Sequence, residues 1–516
     1  FDDNSGVPVV GQIAERRMVL HPERVVYGSK RFIGRPLTKA LADDVSSHMR
    51  YEIVGDAQGM AAVRICGRTL SPIEVGACIL VELRKVAEAE MHREVNFAVI
   101  TVPAAFTENQ RQAVREAGAR AGLTVLRIVS EPTAATLAYG YGRTEKKTVL
   151  VYDLGGGTFD VSILRLSGST FTVLGSAGDT FLGGLDFDQL LAGDIYKDLK
   201  RQFPRAQIDR LGEERLMGAA RDAKHQLSTL TETEVHIPML NIGPEVRPIE
   251  FKCMLTRKQL ETLSIPLLDR TIDRCDEALR MAGLKERQIE DVLLVGGQTR
   301  MPLIHQRLHQ KFQRPPSKRV HPDEVVAIGA AVLATSFKGG DAPVLIDVLP
   351  LAIGIGQPDG TMKVVLERNA ALPAVGTTNI LSPNGRALEV TVFQGEQPQA
   401  WDNECLGSFL TAGARAATGP ANLKIEFRLD NEGLLTVTSE VEGAPQIAQV
   451  VQRLTTQMTT DDMLSRLGAE RIVPRPAIER MPAPTTTDPN APGAPRKSFF
   501  EKFSEGFFGW FKRKKK

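Results

Sequence analysis

At 516 residues the chain exceeds what one hydrophobic core can organise and is expected to divide into roughly two to four domains. Its composition, 42% hydrophobic and 24% charged with a net charge of +2, is that of a soluble globular protein and excludes collagen-like, low-complexity and membrane-spanning chains. The charge is uneven: Arg496 to Lys516 holds eight basic and two acidic residues, so this tail carries +6 and the body −4, which argues against nucleic acid as a partner.

Strand and helix patterns alternate from the start to about residue 335, predicting α/β architecture. The five cysteines (Cys66, Cys78, Cys253, Cys275, Cys405) are scattered and unpaired in spacing, which suits a reducing cytoplasm. "VNFAVITVPAAF" reads as an apolar strand ending at Pro103. "TENQRQAVREAGARAG" follows as a helix with Thr107 as N-cap and Gly122 at its stop. "TVLRIVSEPTAATLAYGYG" repeats the strand-to-helix form, with Pro132 in the first helical turn.

In "VYDLGGGTFDVSI" a strand brings Asp153 to its carboxyl end, and Gly155, Gly156 and Gly157 form a turn without side chains. Such a turn lets backbone N–H groups approach phosphate oxygens, and Thr158 adds a hydroxyl. Asp153 is placed to hold Mg2+ through water, because this ion sheds its hydration reluctantly. A ligand-free glycine hairpin is the alternative, and the flanking Asp153, Thr158 and Asp160 favour phosphate. His305 and His309 have the i, i+4 spacing of a zinc pair but no third ligand, so a solvated helix face is expected there.

After Gly340 the texture changes. "DAPVLIDVLP" is short, apolar and extended, and residues 350–455 read as alternating short strands, a second, all-β module. One short helix is expected near "TTDDMLSRL", then a Pro-rich linker. In the closing "RKSFFEKFSEGFFGWFKRKKK", Phe499, Phe503, Phe507 and Phe511 recur every four residues before five basic ones. That pattern predicts an amphipathic helix on an anionic membrane surface, placing the protein in the cytoplasm and peripherally on the inner face of a membrane.

"DLGGGTFD", "VPAAFTENQRQA", "SEPTAATLAYG", "GDTFLGGLDFD", "LLVGGQTRMP" and "HPDEVVAIGAAV" resemble, in this order, the signature segments of the heat shock protein 70 (DnaK-type) chaperones. The likeness runs to about residue 470. It implies an actin-like, two-lobed α/β ATPase domain over 1–341, a linker over 342–349 and a β-sandwich peptide-binding domain over 350–455. A short helix (456–470), a Pro-rich linker (471–497) and the basic tail (498–516) would follow. ATP or ADP with Mg2+ are the implied cofactors.

By the same resemblance Lys30, Glu131, Asp153 and Thr158 are the catalytic residues, with Asp153 and Glu131 near the metal. Gly155, Gly156, Gly157, Thr158, Gly183, Gly184, Lys224, Ser228, Gly296, Gly297, Arg300 and Asp323 would contact the nucleotide. Ile355, Leu381, Leu388 and Val390 match peptide-pocket positions, while Pro103, Arg111 and Asp347 would couple the domains. The implied partners are extended apolar segments of unfolded clients, a J-domain co-chaperone and a nucleotide exchange factor.

Three departures from the family pattern stand out. Arg221 occupies the place of an acidic residue that accepts hydrogen bonds from ribose hydroxyls, and an arginine accepts none. The Pro-rich stretch from residue 471 cannot build the helical lid, so weak, fast-exchanging client binding is expected. No Asp-Leu-Gly-Thr-Thr type hairpin precedes Lys30, so the chain reads as a fragment lacking about forty residues, its ATPase impaired relative to an intact parent. The expected function is an ATP-dependent folding chaperone. Alternatives are a nucleotide-gated peptide-binding adaptor with weak or lost hydrolysis and, less favoured, an actin-fold sugar kinase.

Overall fold

The computed structural model describes residues 7–18, 20–142, 145–243, 248–337, 343–411, 419–430, 434–441, 450–453 and 470–471. Its centre is a five-stranded sheet in the order Asp291–Val295, Lys146–Leu154, Phe159–Ser167, Thr170–Asp179, Val344–Ile346. The two edge strands run parallel to their neighbours and the three middle ones are antiparallel.

Both faces of this sheet are covered, so its strands Lys146–Leu154 and Phe159–Ser167 are buried on both sides over most of their length. The two-residue side-chain period still sorts them. Leu150, Tyr152 and Leu154 face the helices Gly184–Gln202, Arg210–Leu227 and Arg257–Ala282 in one core. Val149 and Val151 face Glu131–Gly140 and Val325–Ser336 in another. These last two helices cross at Gly329, where a Cβ would run into the Ala134 carbonyl.

Strands Phe97–Val102 and Thr124–Ser130 pair in parallel, which requires the intervening helix Glu108–Arg120 to carry the chain back. That helix starts with a capping box: Thr107 Oγ1 accepts from Gln110 N, and Gln110 Oε1 accepts from Thr107 N at 3.1 Å. Helix Lys39–His48 with the three strands Glu52–Gly55, Ala61–Ile65 and Arg68–Leu70 builds one upper wall around Phe32, Leu41, Val45 and Val63. The hairpin Glu232–Leu240/Ile249–Thr256 packs on the other wall.

The second module is a β-sandwich. One sheet orders Met362–Leu366, Ile353–Gly356, Leu388–Gln394 and Glu404–Leu410, with the two-residue strand Glu470–Arg471 joining Leu388 and Glu389 in parallel. The other orders Ala374–Ser382, Ala421–Leu429, Leu435–Val441 and Val450–Arg453. The architecture is therefore the predicted two-lobed, actin-like α/β body followed by a small all-β sandwich. The five cysteines are free. Except for Glu470 and Arg471, the helix expected over 456–470, the Pro-rich linker and the aromatic, basic tail lie outside the described residues.

The sandwich contacts the body directly. Glu108 N donates to Gln394 Oε1 (2.9 Å), and Glu404 Oε1 accepts from Asn109 Nδ2 (2.7 Å) and Thr107 Oγ1 (3.1 Å). Arg368 pairs with Glu277 at 2.9 Å, and Asn369 Nδ2 donates to Leu174 O at 2.8 Å.

The four expected peptide-pocket residues do not form one open pocket. Ile355 and Val390 are in the sandwich core and Leu388 lies in a small cluster with Leu423. The strand of the last two, Leu388–Gln394, is central and buried at every position. Leu381 stands on the other sheet at the outward phase of the alternation and is 60% exposed.

Candidate active site

Gly155 to Thr158 close the hairpin between Lys146–Leu154 and Phe159–Ser167, with Gly155 N donating to Thr158 O at 3.1 Å. The three glycines are not demanded by backbone strain, because none has a positive φ. Packing does not demand the middle one either: a Cβ on Gly156 would meet nothing within 4 Å. The bare turn is instead open towards the cleft, which suits a ligand approaching the backbone closely.

Two further glycine pairs converge on it. Gly184 N donates to Gly155 O (2.9 Å) and Leu185 N to Gly156 O (2.8 Å), so the N-terminus of helix Gly184–Gln202 abuts the turn and adds its positive dipole end. A Cβ on Gly183 would lie 2.5 Å from Gly157 N, so only glycine allows this approach. Strand Asp291–Val295, parallel to Lys146–Leu154, delivers Gly296 and Gly297 to the same edge. Gly296 has φ 85°, and a Cβ there would strike the Leu154 carbonyl.

Against the turn stand three acids and one ammonium. Lys30 Nζ donates to Glu131 Oε1 at 2.5 Å. Desolvation by the cleft walls opposes the half-exposed Lys30 ammonium, but Glu131, Asp153 and Asp160 outweigh it and hold its pKa above the ordinary value. Burial, then Glu131 and Asp160, push Asp153 well above the carboxylate range, with Lys30 opposing. Asp160 is pushed up to about 7, by burial first and Glu131 second, although Ala105 N donates to it at 3.0 Å. One ammonium leaves three crowded carboxyls under-compensated, and a divalent cation would relieve them. Among the described residues no three His, Cys, Asp or Glu side chains converge as a direct metal cage. The set therefore fits Mg2+ held through water.

The sequence reading missed what aims this cluster. Arg31, next to Lys30, is fully buried; its Nε donates to Gly157 O (2.9 Å) and its Nη2 to Asp186 Oδ2 (2.7 Å). Asp186 also accepts from Gly183 N (2.7 Å) and faces His48 Nε2 (3.2 Å). Burial would raise this carboxyl, yet Arg31 and His48 hold it down at about 2. The available signal was a charged residue beside a predicted functional lysine, in "KRFIGR", and an acid beside the glycine pair, in "GGLDFD".

Lys30, Glu131, Asp153, Gly155, Gly156, Gly157, Thr158, Gly184, Lys224, Ser228, Gly296, Gly297, Arg300 and Asp323 all line one cleft of about 2430 Å³. Lys224 Nζ bonds Asp188 Oδ1 (2.8 Å) and Gly184 O (3.0 Å), and Arg300 pairs with Asp323 at 2.5 Å. Arg221 lines the cleft as well, bound to Glu15 at 2.6 Å and 3.5 Å from Asp188. His305 is partly buried rather than solvated, its Nε2 3.0 Å from Thr299 O. Of the coupling residues, Pro103 ends its strand in a buried position, while Arg111 and Asp347 line one small cleft of about 20 Å³ between helix Glu108–Arg120 and the linker.

Comparison with known proteins agrees with this geometry. The family model described as Hsp70 protein matches residues 1–472. The "Heat shock 70 kDa protein, mitochondrial" of Dictyostelium discoideum is 39% identical over 460 residues, covering 88% of this chain and 70% of that protein. The likeness overturns the cytoplasmic, membrane-peripheral location expected from the scattered cysteines and the tail, because that relative is mitochondrial by name. Cysteines kept apart report a reducing environment, and a reducing environment is not confined to one compartment. A match over nearly the whole described chain, on top of a bare glycine turn faced by a lysine and buried acids, leaves one conclusion: this chain belongs to the Hsp70 family of ATPase chaperones.

Proposed function

We propose that the chain binds ATP with Mg2+ in the cleft, hydrolyses it, and uses that cycle to gate the binding of extended apolar peptide segments by the β-sandwich. The observation that carries this reading is a shared sheet. Gly155–Gly157 cap two of its strands, and the apolar linker strand Val344–Ile346 pairs with a third, Thr170–Asp179.

Phosphate oxygens would take N–H groups of the glycine turn, and the helix beginning at Gly184, whose first N–H groups are bonded to that turn, would contribute its dipole. Mg2+, when bound, would neutralise phosphate charge beside Asp153 and Glu131. Lys30 supplies a mobile positive charge for the phosphoryl group, and Glu131 holds it in place while remaining able to orient water. Asp160 accepts from Ala105 N, and two residues on, Thr107, Glu108 and Asn109 bond Gln394 and Glu404 of the sandwich. The short backbone segment Ala105–Asn109 thus joins the acidic cluster at one end to the sandwich at the other, with Pro103 and Arg111 flanking it.

A J-domain co-chaperone and a nucleotide exchange factor are the partners the family implies, and the mitochondrial relative supports a mitochondrial location. The adaptor reading is favoured by one observation: Arg221 offers the nucleotide no acceptor. Single-turnover hydrolysis combined with release of a fluorescent apolar peptide separates the two. Mg2+-dependent hydrolysis, lost in Lys30→Ala, with ATP-accelerated release supports the chaperone cycle. ATP-accelerated release without hydrolysis supports the adaptor, and release indifferent to ATP defeats both.

A further inference from the structure

Arg221 and Lys224 lie one turn apart on helix Arg210–Leu227 and share the cleft wall. Lys224 belongs to the phosphate end, since its Nζ is 3.0 Å from Gly184 O and Gly184 N bonds Gly155 O. Three residues back, Arg221 sits about 4.5 Å further along the axis, a displacement comparable to that from a nucleotide's first phosphate to its sugar. A ribose there presents two hydroxyl hydrogens that need acceptors, and a guanidinium has none. The neighbouring carboxylate is already engaged: Asp188 Oδ1 lies 2.8 Å from Lys224 and Oδ2 lies 3.5 Å from Arg221.

The facing wall supplies what is missing. Helix Gln12–Met18 brings Glu15 into the cleft, with Oε1 accepting from Arg221 Nη1 at 2.6 Å. The Glu15 side chain is otherwise 57% exposed and lines the cleft, where a ligand can reach it. One oxygen is held by the guanidinium fork, and a carboxylate keeps acceptor capacity beyond that bond. We propose that Glu15 is the residue that recognises the sugar hydroxyls of the nucleotide, and that Arg221 positions it from the opposite wall. The proposal rests on the nucleotide reading above. It gives Arg221 a use despite its lack of an acceptor, and it makes sugar recognition span both walls of the cleft.

Calorimetric titration of the full chain with Mg-ATP, 2′-deoxy-ATP and 3′-deoxy-ATP tests it. The unmodified chain should favour ATP by about tenfold, the value of one charge-assisted hydrogen bond. Glu15→Ala should bring that ratio to within about twofold. Arg221→Ala should do the same although Glu15 remains. The double exchange Glu15→Arg with Arg221→Glu should recover the discrimination, because the acid returns to the same place from the other wall. If Glu15→Ala weakens all three ligands equally and leaves the ratio intact, the pair is only a clasp and the proposal fails. It fails equally if the unmodified chain does not distinguish the sugars. If that chain binds no adenine nucleotide at all, the nucleotide reading itself falls and takes this proposal with it.

Discussion

Buried charge near the glycine turn favours the fold where a group has a specific partner and opposes it where carboxyls crowd together. Asp186 shows the favourable case. Despite burial, Arg31 and His48 hold its carboxyl at about 2 against an ordinary 3.8. A depressed carboxyl contributes stability that is complete above the ordinary value and is lost as pH falls towards the folded one, here about 2 kcal/mol. Urea unfolding between pH 5 and 2 should show an acid-limb loss in the unmodified protein that Asp186→Asn lacks. Asp160 has the opposite sign: held at about 7, it favours the fold while protonated and costs stability as pH rises from 3.8 towards 7. Gly156 poses a different test. Because a Cβ there meets nothing in the protein, Gly156→Ala should leave the urea midpoint unchanged while weakening Mg-ATP binding at least about tenfold. An equal loss of stability would mean that the turn is bare for folding rather than for ligand.

At the level of elements, helices Glu131–Gly140 and Val325–Ser336 cross so closely at Gly329 that there is no room for a Cβ. Gly329→Ala places a methyl against the Ala134 carbonyl, and backbone cannot rotate away as a side chain can. Destabilisation of about 3 kcal/mol is expected, at the upper end of overpacking costs, read as a lower urea midpoint at unchanged slope. Since Glu131 opens the first of these helices, the same change should also reduce hydrolysis. Much at this scale was legible in the chain. The capping box at Thr107, Pro132 in the first turn and the strand ending at Pro103 are local chemistry, in which a residue and its neighbours three positions away decide the outcome. The peptide pocket was not legible, because alternation identifies a face without saying what covers it. Leu388 and Val390 share a face and are buried, whereas Leu381 keeps the same period and points to solvent.

Across the whole molecule, the contact between helix Glu108–Arg120 and strand Glu404–Leu410 is where the β-sandwich meets the α/β body. Glu108 is pushed up to about 7, by burial first and also by Asp430 and Glu404 across the interface, against Arg111 and Arg115. A raised carboxyl favours contact while protonated, so docking should be strongest below 4.5, weaken as pH rises towards 7, and level off above. A fluorescence-transfer pair on the two modules should report this between pH 5 and 8, and Glu108→Gln should flatten the curve. Gln394→Ala with Glu404→Ala should sever the hydrogen bonds without touching the cleft. Basal hydrolysis should then stand, while stimulation by an apolar peptide falls by about tenfold; unchanged stimulation would mean that the signal takes another route.

What the amino-acid sequence determined by itself was every feature that depends on near neighbours. The bare glycine turn, the helix caps, the change from an α/β body to an all-β module and the run of family segments all lie in contiguous residues. Asp153, Lys30 and Glu131 were identifiable as separate residues on that basis. Only the tertiary structure decided what lies between them: that Arg31 is buried against Asp186 over a separation of 155 residues, and that Arg221 meets Glu15 across 206. Charges this far apart in the chain pair only after the strands and helices have packed. Their energies depend on the burial that packing creates, and no local pattern encodes that burial.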